Sequence, residues 1–184
     1  MESHHRCPGH CRGQSLLITD EYQSPFNVGT VIEMRDFSLS EVSDLNERYG
    51  EPLQSTEDLS RFYELFCGQP FLTRLGFAEL LRTGSLDRLI AEADIDEGPF
   101  GDHLRHLLAL LTRATDLAAV LQGLLCGLPV ADPSSFYRLR RVGLIVGSSW
   151  REARVRCGIY RSYMSRHLPG PPTPGVPSVT ASQS

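Results

Sequence analysis

Residues Cys67-Gly68-Gln69-Pro70-Phe71-Leu72 divide two segments that both read as amphipathic helices. Glycine just past a helix accepts the backbone that stops it, and proline at a first helical position starts the next helix with its φ already set. The six residues therefore predict a rigid corner between helices. Ahead of it, Ser55 with Asp58 three residues on marks a helix start, and Phe62, Leu65 and Phe66 give that helix one apolar face ending at Gly68. After it, a helix runs from Pro70 to about Thr83, and Ser85 to Ala93 gives a shorter one. Upstream again, Ser38 and Glu41 have capping-box spacing, and Gly50 ends the helix they open.

The C-terminal third has another rhythm. Asp102 to Leu111 reads as helix, Asp116 caps a second helix ending at Gly127, Pro129 to Pro133 is a turn, and Ser134 to Val142 is a third helix. Leu144-Ile145-Val146 and Ala153-Arg154-Val155 then read as two short strands around Gly147-Ser148-Ser149, before a last helix from Ile159 to Leu168. Three helices, a hairpin and a closing helix are the order of a winged helix-turn-helix. Near the start, Ser15-Leu16-Leu17-Ile18-Thr19 reads as a buried strand and Val28 to Met34 as a second strand or extended arm. The fold class expected is mainly α with a small β contribution, a helical lid region followed by the winged helix.

At 184 residues and 41% hydrophobic, the chain can bury one good core. The net charge of −4 gives no general attraction to nucleic acid. The apolar helical run 104–111 is far short of the about 18 residues a membrane span needs, and it contains His106. The N-terminus lacks the apolar stretch of a secretory signal, so a cytoplasmic location is expected. Of the five cysteines, Cys67, Cys126 and Cys157 lie among apolar neighbours and read as small core residues. Residues 1–13 read as a disordered leader and residues 169–184, rich in proline, as a disordered tail.

Several of these pieces together resemble one family. Ser24-Pro25-Phe26-Asn27-Val28-Gly29, Ile32-Glu33, and Phe37 leading into a capped helix look like the segment after the sensor strand in the AAA-like domain of STAND-type signalling ATPases. Gly68-Gln69-Pro70-Phe71-Leu72 is similar to that family's Gly-x-Pro corner, and Asp102-His103-Leu104-Arg105 to its helix opening after the lid. Tyr137 to Leu144 and Arg156 to Tyr163 resemble its winged-helix end, so the likeness covers about residues 15–168 in the family's order. The resemblance implies an ATPase-core remnant at 14–37, a lid at 38–97 and a winged helix at 98–168. It implies that Gly68, Pro70 and Phe71 face the adenine of ATP or ADP, which intact relatives bind with Mg²⁺ to switch signalling or conflict systems.

The departures are equally informative. All 18 Lys+Arg residues are arginine, so the chain has no lysine for a phosphate-binding P-loop. The family's P-loop, its acidic Mg²⁺ strand and most of its sheet would precede residue 15, so the chain reads as a truncated, non-catalytic fragment with no firmly held cofactor. The spacing around Thr19, Asp20 and Glu21 is also short for a sensor strand. A weak nucleotide contact and a protein partner, either the ATPase core or an effector domain, are what the resemblance leaves.

Other motifs are weighed against plainer roles. Gly68 and Pro70 can simply turn the chain. His4, His5, Cys7, His10 and Cys11 are zinc-binding types, but their crowded spacing suits a leader better than a metal site. Asp102, His103 and His106 could form half a metal site, though a solvated helix face is the simpler reading. Arg138, Arg140, Arg141, Arg151, Arg154, Arg156 and Arg161 make the winged-helix region basic. They could read a DNA groove, which would make the chain a stand-alone DNA-binding regulator or, without DNA, a protein-interaction module. Salt bridges to the acidic parts of the chain are the expectation, and no catalytic constellation is visible.

Overall fold

A computed structural model describes residues 35–168. The strand expected at 15–19, the extended segment at 28–34, the leader with its His/Cys cluster and the tail at 169–184 lie outside the described residues. The elements run α1 (Leu39–Arg48), α2 (Thr56–Phe66), α3 (Pro70–Thr83), α4 (Leu86–Glu92), α5 (Gly101–Arg113), α6 (Thr115–Leu125) and α7 (Pro133–Val142). The hairpin β1 (Ile145–Val146) and β2 (Arg154–Val155) follows, with a single 3-10 turn between its strands, and α8 (Gly158–His167) closes the order. The described residues are thus mainly helical with one small antiparallel sheet, in which Ile145 faces Val155 and Val146 faces Arg154.

Local chemistry starts most of these helices. The Ser38 hydroxyl accepts the Glu41 N–H, while the Glu41 carboxylate accepts the Ser38 N–H at 2.8 Å. Arg35 also grips Glu41, and this pairing holds the exposed carboxyl down to about 2. Ser55 and Ser85 cap α2 and α4 with their hydroxyls alone, accepting the Asp58 and Arg88 N–H groups. α5 and α8 each start one residue before the expected Asp102 and Ile159, and the starts of α6 and α7 differ in their caps. Asp116 does not cap α6: the helix begins at Thr115 without a side-chain cap, and Asp116 sits in the first turn, paired with Arg138 at 2.5 Å. The cap of α7 is Asp132, with Pro133 at the first helical position, so the helix starts one residue before Ser134.

Packing joins both regions into one core. The rings of Phe62, Phe66, Phe77 and Phe100 form a connected aromatic cluster, with centroids 4.6 Å apart for Phe62 and Phe77 and 5.1 Å for Phe66 and Phe100. Gly76 lets α3 lie close on α2, since a Cβ there would be 2.5 Å from the Phe66 ring. The Asn46 amide closes the loop after α1, donating to the Leu53 carbonyl and accepting the Leu53 N–H. At the far end of the chain α8 folds back on α2, where a Cβ at Gly158 would be 2.8 Å from the Glu64 carbonyl oxygen. The buried set runs unbroken from Val42 to Leu168.

Among the described residues no single helix is long and apolar enough to cross a membrane. Helices α5 and α6 reach that length together only as a pair bent by 116°.

Candidate functional site

The corner between α2 and α3 rests on two successive left-handed residues, Cys67 at φ 47° and Gly68 at φ 70°. Only the second has to be glycine. The Phe37 N–H donates to the Gly68 carbonyl at 2.8 Å, and a Cβ on Gly68 would overlap the Phe37 carbonyl oxygen. The Tyr63 hydroxyl donates to that same Phe37 oxygen at 3.3 Å. The chain ahead of α1 is thereby held against the corner. On the other side, the Gln69 side-chain oxygen accepts the Leu72 N–H at 2.5 Å, and Pro70 opens α3 where its missing N–H costs nothing.

Pro70 and Phe71 open onto a cavity of about 490 Å³, whose other walls are Tyr49, Arg74, Leu75 and Ala78. Gly68 is not among the walls. It lies behind them and fixes the direction in which Pro70 leaves the corner. Phe71 is 52% exposed, a large apolar ring turned outward. Tyr49, which ends α1, is stacked on buried Phe77 with centroids 4.9 Å apart and planes 10° apart. Arg74, one turn after Pro70, has no hydrogen-bond or ion-pair partner among the described residues. The cavity offers apolar and aromatic surface plus one guanidinium, a set suited to a flat ring with acceptor atoms on its edge.

Behind Phe71 lies a residue whose role the sequence does not reveal. The His103 ring is 5.2 Å from the Phe71 ring, and its Nε2 is 2.8 Å from the Tyr160 hydroxyl on α8. His103 is half-buried, and that burial, with a smaller contribution from nearby His106, lowers its pKa below the ordinary 6.5. The expectation of a solvated helix face therefore fails at this position. It holds for Asp102 and His106, which are exposed. Asp102 pairs with Arg105. Among the described residues no group of three or more His, Cys, Asp or Glu could hold a metal ion.

The cysteines divide three ways. Cys157 is buried and its thiol is pushed up to about 12 by burial, and Cys67 is half-buried with its thiol also raised by burial. Cys126 is exposed at the end of α6, so it is not the core residue its neighbours suggested. A protonated buried thiol is a poor nucleophile, and at both Cys67 and Cys157 burial outweighs the nearby Arg154 and Arg156 that favour the thiolate. Of the arginines in the C-terminal region, Arg138 pairs with Asp116, Arg156 pairs with Asp36, and Arg151 lies over Trp150 at 4.6 Å.

The described residues thus make a mainly helical protein with a glycine-proline corner, an apolar cavity at that corner and a small hairpin near its end. The chain matches the family model described as "AAA-like domain" over residues 14–166, and it belongs to that family. Neither a curated protein nor a solved structure matches it.

Proposed function

We propose that this chain serves as the nucleotide-responsive and regulatory part of a STAND-type AAA-like signalling switch. In this reading α1–α4 form the lid, and α5–α8 with the hairpin form the winged helix that reports nucleotide state to a protein partner. The observation that carries it is the shared cavity: Pro70 and Phe71, picked out by the Gly-x-Pro resemblance, are walls of one apolar recess with Tyr49 and Arg74. The adenine of ATP or ADP would lie between the two aromatic side chains over the edge of Pro70, which is itself buried, with acceptor atoms toward Arg74. With no lysine to cradle phosphates in this sequence, contact rests on the base alone. That supports a dissociation constant in the millimolar range, about 4 kcal/mol. It also leaves these residues without catalysis of their own.

Binding of adenosine and of ATP, followed by ring-proton NMR of Tyr49 and Phe71, tests the reading. Both ligands should perturb the two rings, and Pro70→Ala should weaken binding several-fold while α3 still forms. No perturbation at ~10 mM ligand, well above a millimolar constant, would overturn the base site. ATP turnover above background would overturn the non-catalytic part. The DNA-regulator reading has less support, since Arg138 and Arg156 already hold carboxylates.

A further inference from the structure

Three rings from three distant parts of the chain meet in a row. Phe71 is a wall of the cavity on one side and lies against His103 on the other. His103 in turn faces Tyr160, with ring centroids 5.8 Å apart as well as the hydrogen bond. Tyr160 is 2% exposed, and the His103 bond is the hydroxyl's hydrogen bond among the described residues. A buried hydroxyl without a partner is costly, about 1–3 kcal/mol, so Tyr160 and His103 have a strong reason to move together. Residues 71, 103 and 160 belong to α3, α5 and α8 respectively. The row therefore runs from the mouth of the cavity to the closing helix.

We propose that His103 is a positioning residue that couples the Pro70–Phe71 cavity to α8, so that a base seated on the corner shifts Tyr160 through the His103 ring. This rests on the base-binding reading above. A ligand ring on Pro70 touches Phe71. Phe71 is half exposed and rests its inner side on His103, so a ligand that presses it inward tilts the imidazole and lengthens the bond to Tyr160. Tyr160 sits on the first turn of α8, and α8 also packs on α2. A movement there reaches the contact between the two regions.

The bond has a direction that chemistry can reverse. In the neutral tautomer with its proton on Nδ1, Nε2 accepts the Tyr160 proton. A protonated ring has donors on both nitrogens, so Tyr160 could then only accept, and its own proton would lose its acceptor. Among the described residues the groups facing His103 are His106 on its own helix, Tyr160 on α8 and uncharged Phe71 on α3. No carboxylate is among them to favour the charged ring.

The test is an adenosine titration of the whole chain, reading the ring signals of Phe71, His103 and Tyr160 together. Coupling predicts that all three respond with one dissociation constant, and that the His103 titration midpoint moves as adenosine binds. In His103→Ala the Phe71 response should persist and the Tyr160 response should disappear. His103→Gln, whose flat amide can still meet the hydroxyl, should restore part of it. A response confined to Phe71 in the wild type overturns the coupling and leaves the base site standing. A Tyr160 response that survives in His103→Ala also overturns it. No response at any of the three rings overturns the base site and the coupling with it. The wild-type titration decides the matter even where a variant fails to fold.

Discussion

The two ends of α3 both carry a glycine in the left-handed region, yet they do different work. At the C-terminal end Gly84, at φ 69°, stops the helix in open space, and an added Cβ would meet nothing within 4 Å. At the N-terminal end Gly68, at φ 70°, is pressed on the backbone of Phe37, which a Cβ would overlap. Gly84 answers only to local conformation, whereas Gly68 answers to tertiary structure as well. The same torsion angle thus marks a stop at one end of the helix and the support of a cavity at the other.

Substitutions can break or sharpen that contrast. Gly68→Ala should have the largest effect, because the clash is with backbone and the Phe37 segment must leave the corner. A loss of about 3 kcal/mol or more in chemical denaturation is expected, and a loss near that of Gly84→Ala would show the contact to be dispensable. Gly76→Ala, in the middle of the same helix, meets the edges of the buried Phe66 and Phe62 rings instead of backbone. It should cost roughly 1–3 kcal/mol as overpacking, read from the same unfolding curves. Gly84→Ala should cost only about 1–2 kcal/mol, the ordinary penalty of a left-handed alanine. Ser38→Ala removes a cap at an exposed helix start and should cost about 1 kcal/mol.

The smallest expected effect is that of pH at His103. Burial depresses its folded pKa below the ordinary 6.5, so below that value the unfolded chain binds more protons than the folded one. The stability that neutral His103 contributes is complete above pH 6.5 and is lost as the pH falls from there through the folded pKa. Comparing wild type with His103→Gln across pH 5 to 7.5 should show a steeper slope in the former than in the latter. Equal slopes would mean that the ring stays as accessible to protons folded as unfolded.

What was legible in the sequence follows the range of the interaction. Ser38 with Glu41, Ser55 with Asp58, and Pro70 act within one turn, and each marks a helix start at the expected place. The two hairpin strands also fall where expected, with only Leu144 and Ala153 outside them. Asp116 misled because a cap and a first-turn acid look alike in one dimension; its partner Arg138 is 22 positions away. At the candidate site Pro70 and Phe71 were legible from the corner. Arg74 was within reach of a spacing argument, one helical turn from Pro70. Tyr49 carried no signal, since nothing near it says which cavity its loop will border. His103 could not be read either, because its meaning depends on Tyr160, 57 positions on.

The return of α8 onto α2 has a consequence for how the chain is made. Roughly ninety residues separate Phe66 from Gly158, and a ribosome needs on the order of 5–20 s to add them. Through that interval the side of α2 that will receive α8 has no cover of its own. A nascent chain stalled before residue 158 would present Leu65 and its neighbours to whatever binds apolar surface, and only completion of α8 would withdraw them.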